Sequence, residues 1–158
     1  MPEVDELEQG DGQEVAVENA RRKARAVAQG APVGVVLGVD TVVCAGGRLY
    51  GKPADESQAR STLQALSGAE HVVLSGVCLV EDGAERTALA STSVSFRDLS
   101  EELLDWYLAS GEWRERAGGY AIQGRGAALV TAIQGDFWNV VGLPVAKLLE
   151  LAPGLLLS

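Results

Sequence analysis

Val33-Gly34-Val35-Val36-Leu37-Gly38-Val39-Asp40-Thr41-Val42-Val43-Cys44 is a run of apolar, mostly β-branched residues broken by a single acid. Branching at Cβ stiffens χ1 and suits an extended backbone. A nearly unbroken apolar run of this kind predicts a strand, here over 33–45, covered on both faces. Asp40 is the exception within it. No Lys or Arg stands within six positions on either side, and a carboxylate among apolar neighbours costs roughly several kcal/mol unless a cation, a metal or a wet cleft receives it. Its partner must come from elsewhere in the chain. Of the three lysines, Lys23 precedes the strand and Lys52 follows it, within Tyr50-Gly51-Lys52-Pro53. The combination points to a site for an anionic, metal-bound substrate; the alternative is an Asp that only caps the next turn.

Upstream, Val17, Ala20, Ala24 and Val27 recur at helical spacing over 13–28, and Gly30 and Pro32 end the helix, so Lys23 projects from a helix beside the strand. Downstream, 45–50 reads as a hairpin. The stretch 54–66, with acids in its first turn and Gly68 beyond it, reads as a second helix. Residues 71–80 form another apolar strand, and Glu81-Asp82-Gly83-Ala84 signals a hairpin into a strand carrying Thr87, Leu89, Val94 and Phe96. Ser100 is placed to cap a helix holding Leu103, Leu104, Tyr107 and Leu108. A strand near 127–133, a turn at 134–136 and a final helix from Pro144 complete the pattern. The whole is one α/β domain over 1–158 with a mixed sheet.

A chain of 158 residues with 47% hydrophobic and 22% charged residues can bury a real core. No apolar stretch approaches the roughly 20 residues of a membrane span, and the acidic start shows no leader, so no membrane association and a cytoplasmic address are expected. A net charge of −9 disfavours a nucleic-acid polymer as partner. A single nucleotide is compatible with it, because a few local cations and a divalent metal can hold a triphosphate. Cys44 and Cys78 lack metal-site spacing and are expected as buried thiols. His71, the one histidine, has no acid or nucleophile in motif spacing; Trp106, Trp113 and Trp138 are read as core or subunit-contact residues, and Arg21, Arg22 and Arg25 as a solvated helix face.

Gly38-Val39-Asp40-Thr41-Val42-Val43, Tyr50-Gly51-Lys52-Pro53, Leu66-Ser67-Gly68, Tyr120-Ala121-Ile122-Gln123-Gly124 and 135–144, Gly-Asp-Phe-Trp-Asn-Val-Val-Gly-Leu-Pro, stand in the order and at the spacings of the Maf family, which the chain resembles from about residue 3 to 151. The resemblance implies a Maf/Ham1-like (inosine triphosphatase-like) fold: an elongated mixed sheet flanked by helices, with two lobes and a cleft. It also implies a nucleoside triphosphate pyrophosphatase, in a family also described as septum-formation inhibitors. Within the family, Thr41 after Asp40 together with Ile122-Gln123-Gly124 resembles the subfamily acting on dTTP and UTP, with modified pyrimidine nucleotides as further substrates and a house-cleaning or division-linked role.

Hydrolysis between the α and β phosphates needs an activated water, charge neutralisation and a pocket for the base. Asp40 can orient or deprotonate water, or hold a divalent metal that makes water more acidic; the matching family aspartate is regarded as the proton acceptor. Lys23 and Lys52 match the family's two lysines, which neutralise phosphate oxygens as point charges. Glu6 matches an acidic residue ahead of the first helix and is a candidate second metal carboxylate, with Mg2+ or Mn2+ as the metal. Thr41 and Gln123 can read a base edge, the amide offering both donor and acceptor to uracil or thymine. A homodimer is one assembly open to such a protein.

The chain departs from the resemblance at its start. Family members carry a Ser-x-Ser-Pro-Arg-Arg-like phosphate loop after a short strand, and this sequence shows neither, which against the resemblance makes it short by about 30 residues, a strand of the sheet among them. Two readings follow. One is an active pyrophosphatase; the other is a catalytically impaired Maf-like protein that acts in division control by binding a nucleotide or a protein.

Overall fold

The computed structural model describes residues 11–30 and 34–154. Along the chain run α1 (Gly12–Gly30), β1 (Val35–Ala45), β2 (Arg48–Tyr50), α2 (Glu56–Leu66), β3 (Glu70–Glu81), β4 (Ala84–Phe96), α3 (Glu101–Leu108), two 3-10 turns (Ala117–Gly119 and Arg125–Leu129), β5 (Val130–Gln134), α4 (Phe137–Val141) and α5 (Val145–Leu151). Both tight hairpins use residues that tolerate positive φ, Gly46-Gly47 (54° and 78°) and Asp82-Gly83 (51° and 79°), which matches the turn's twist to that of the strands it joins. Asp55 caps α2 by accepting from the Gln58 amide at 2.7 Å, and Ser100 caps α3 by accepting from Leu103 at 3.1 Å.

The sheet order is β2-β1-β3-β4-β5. Because side chains alternate along a strand, β1 and β3 present two different sets. One face takes α1: Ala16, Ala20 and Ala24 pack on Val36, Val42, Leu74 and Cys78. The opposite face carries the larger core, in which Val43, Val73, Val94 and Phe96 meet Leu63 and Leu66 of α2 and Leu104, Tyr107 and Leu108 of α3. Asp40 belongs to the α1 face, whereas Thr41 belongs to the other.

Several expectations are corrected. Every strand pairing among the described residues is antiparallel, so the sheet they form is not mixed: each neighbour in the order is reached by a hairpin, by α2, or by the α3 connection, and each returns the chain in the opposite sense. β1 is not covered on both faces throughout, since Val35 is 47% and Leu37 38% exposed; the α2 and α3 layer reaches the sheet only from Val43 onward. The strand expected near 127–133 begins at Val130, because 125–129 wind into a 3-10 turn, and the short helix α4 follows it. Cys44 is only half-buried. Of the tryptophans read as core or subunit-contact residues, Trp113 is in the core, while Trp106 and Trp138 are exposed, which rules out the core for these two and is compatible with a subunit contact. The Arg21, Arg22 and Arg25 face is solvated as expected and carries ion pairs as well: Arg21 and Arg25 bridge from α1 to Glu85 on β4, and Arg22 pairs with Glu18. Among the described residues no helix is long and apolar enough to cross a membrane.

Candidate active site

Two glycines set the height of α1 above the sheet. A Cβ on Gly38 would stand 2.2 Å from the Ala20 carbonyl oxygen, and one on Gly76 would stand 2.3 Å from the Ala16 carbonyl carbon. Contacts that short are excluded, so the helix lies against the strands only because both side chains are missing. This close approach puts Asn19 and Lys23, one helical turn apart on the buried side of α1, onto Asp40. Lys23 Nζ donates to Asp40 Oδ1 at 2.9 Å, and Asn19 Nδ2 donates to Oδ2 at 3.2 Å. Asp40 is 7% exposed, and the charge that its strand context leaves uncompensated is met by a cation and an amide from the helix packed above it.

Asp40 stands where two clefts meet. The larger, about 950 Å³, is lined by Asn19, Asp40, Thr41, Lys52, Gln58 and Thr62 among others, and its size falls at the upper end of the roughly 300–1,000 Å³ of small-molecule sites. The smaller, about 240 Å³, is lined by Lys23, Asp40, Thr41, Lys52, Arg116 and Tyr120 among others. Asp40, Thr41 and Lys52 line both. Thr41 Oγ1 lies 2.8 Å from Ser75 Oγ on β3, which orients its hydroxyl. Lys52 is largely exposed, with Nζ 3.7 Å from Glu115 Oε2.

Behind the smaller cleft, the Tyr120 hydroxyl and His71 Nε2 share a 2.6 Å hydrogen bond, and both rings make edge contacts with Phe96. Burial pushes the His71 pKa down to about 4 and pushes that of the Tyr120 hydroxyl up, so both are neutral near pH 7. His71 therefore acts as a buttress for a cleft-lining tyrosine.

The family model of Maf-like proteins matches residues 1–154. The chain belongs to the Maf family. It is 41% identical over 147 residues to a dTTP/UTP pyrophosphatase of Pyrococcus furiosus, covering 93% of this chain and 77% of that protein. A protein of the same name from Symbiobacterium thermophilum is 45% identical over 153 residues (96% and 79% covered), and one from Deinococcus radiodurans is 41% identical over 152 (96% and 78%).

Of the residues expected at a Maf site, Asp40, Lys23, Lys52 and Thr41 are brought to the two clefts. Gln123 is exposed and lines neither of them. Its turn is drawn toward Glu112, whose carboxylate accepts from the amides of Arg125 at 3.0 Å and Gly126 at 3.4 Å. Glu6 lies outside the described residues. Two contributors were missed. Asn19 sits four residues before Lys23, a spacing that puts both on one side of a helix, and Arg116 lies just ahead of the Tyr120 motif. Only the first could have been found by spacing.

Among the described residues there is no group of three His, Cys, Asp or Glu side chains placed to hold a metal. Asp40 by itself still suits a hard divalent cation: an ionised carboxylate has about four acceptor positions, and Lys23 and Asn19 occupy one on each oxygen. Mg2+ is commonly held by one or two carboxylates plus substrate phosphates, with no all-protein cage.

Proposed function

We propose that this Maf-family chain hydrolyses dTTP and UTP to the nucleoside monophosphate and pyrophosphate. The observation that carries the reading is the position of Asp40: a buried, hydrogen-bonded carboxylate at the junction of a nucleoside-sized cleft and a smaller, cation-lined one. A triphosphate laid across that junction presents its α-phosphorus to the carboxylate. Water held by Asp40 adds its oxygen to the α-phosphorus and passes its proton toward the carboxylate. The bond from that phosphorus to the bridging oxygen breaks, and pyrophosphate leaves with the oxygen and the electron pair. Lys23, paired with Asp40, aims its carboxylate, while Lys52, reaching both clefts, neutralises phosphate oxygens. A divalent cation, Mg2+ or Mn2+, would be held by Asp40 and the substrate's phosphates, with Glu6 as a second carboxylate, and would supply charge neutralisation and a more acidic water.

Base discrimination is assigned to Thr41, which lines the larger cleft; Gln123, the other residue expected to read the base, lies outside both clefts. The names carried by the relatives support pyrimidine triphosphates as substrates, and a cytoplasmic address is part of the same proposal. The test is phosphorus-resolved product analysis with UTP and dTTP, for the chain and for Asp40→Asn. Pyrophosphate and monophosphate are expected, with a rate at least about 100-fold lower in the variant, the scale of a lost general base. Release of orthophosphate, or normal turnover by Asp40→Asn, overturns the mechanism. Binding of UTP without turnover would favour the impaired, non-hydrolytic protein.

A further inference from the structure

The two clefts differ in charge as well as in size. The larger has Arg48 and Lys52 as its cations, and the Arg48 guanidinium lies 5.5 Å over the Tyr50 ring. The smaller has three, Lys23, Lys52 and Arg116. Lys23 is engaged by Asp40 and Lys52 approaches Glu115. Arg116 differs from both: it is half-buried in the cleft wall, and the described residues offer its guanidinium no carboxylate. A guanidinium forks across two oxygens of one anion, and a cleft of about 240 Å³ admits a diphosphate group more readily than a whole nucleotide.

The backbone that presents Arg116 is unusual one residue earlier. Glu115 has φ of 59°, one of two non-glycine residues with positive φ among those described. Its side chain is 87% exposed, so packing does not impose the conformation, and its carboxylate lies on Lys52. The left-handed turn at Glu115 thus sends two consecutive side chains to one cleft, an anion onto Lys52 and a cation onto the wall.

Building on the pyrophosphatase reading, we propose that Arg116 and Lys52 bind the β- and γ-phosphates, the part that departs as pyrophosphate, and that the Glu115 carboxylate occupies Lys52 until substrate displaces it. Arg116 is then a leaving-group ligand, and the nucleoside half of the substrate lies on the other side of Asp40.

Inorganic pyrophosphate and UMP, each titrated calorimetrically in Mg2+ buffer, separate the two halves. Arg116→Gln is expected to weaken pyrophosphate about tenfold or more while leaving UMP within about twofold, and Arg116→Lys, which keeps the charge but loses the fork, to fall between. Glu115→Gly, which removes both the competing carboxylate and the left-handed non-glycine residue, is expected to tighten pyrophosphate by about threefold or more and remains readable if Arg116→Gln does not fold. Unchanged pyrophosphate affinity in Arg116→Gln, or an equal loss for UMP, overturns the assignment of Arg116. Unchanged affinity in Glu115→Gly overturns the displaced-anion role. Failure of the unaltered chain to hydrolyse UTP or dTTP would remove the pyrophosphatase reading, and the pyrophosphate titrations would still decide whether Arg116 binds this anion.

Discussion

Asp40 and Gly76 stand directly opposite each other on β1 and β3, and the side chain that Gly76 lacks is what lets α1 reach Asp40. Gly76→Ala would place a methyl 2.3 Å from the Ala16 carbonyl carbon and 2.5 Å from the Val17 nitrogen, both backbone atoms of α1. The helix must lift. Overpacking of this kind costs about 1–3 kcal/mol, and lifting α1 also carries Asn19 and Lys23 away from the carboxylate. A lower urea midpoint is expected, together with a loss of pyrophosphate release that persists under conditions where the variant is fully folded. Wild-type stability and turnover would show that another contact sets the helix height.

Asn19 and Lys23 hold the same carboxylate but differ in what their loss strands. Asn19→Leu keeps the volume and removes one donor, so kcat should fall by about tenfold with KM for UTP within about twofold, the signature of a group that orients the reacting carboxylate. Lys23→Met leaves a buried carboxylate without its cation and should cost roughly 3–5 kcal/mol of stability. Most of that loss should return in the double variant Lys23→Met with Asp40→Asn, because the stranded charge is gone. Chemical denaturation of the four proteins in that cycle checks the coupling; strict additivity would show that the pair is not what holds the two residues together.

His71 predicts an acid-side limit to stability. Its pKa is about 4 in the folded chain and near 6.5 when unfolded, so the unfolded state binds the proton first. Above pH 6.5 both states are neutral at this residue and nothing is lost. Between pH 6.5 and 4 each unit of acidification favours unfolding by about 1.4 kcal/mol, roughly 3 kcal/mol across the window. Replacing His71 with Gln, which does not titrate, should flatten this part of the profile in denaturation midpoints taken from pH 7 to 4. An unchanged slope would assign acid sensitivity to other groups.

Much of the fold is legible in the one-dimensional pattern because periodicity and turn chemistry are local. The helix around Lys23, the strands on either side of Asp82-Gly83, and the caps at Asp55 and Ser100 all depend on residues a few positions apart. Asp40 was legible for a similar reason: an acid in an apolar strand is anomalous wherever the strand ends up. Lys52 and Thr41 followed from motif spacing, and Lys23 from the helix it rides on.

The sequence alone therefore determined that a buried carboxylate needs help and that two lysines flank it. Which groups answer that need was decided in three dimensions. Asn19 reaches Asp40 because Gly38 and Gly76 let a helix settle on the sheet, and no local pattern links those three positions. Arg116 comes to the cleft through a left-handed turn at Glu115, a conformation that its own residue type disfavours. Gln123 remained outside both clefts because Glu112 ties down the amides that follow it. In each case the deciding contact joins residues brought together by packing, where hard-core repulsion and the hydrogen-bonding needs of buried groups act between atoms that the chain order keeps apart.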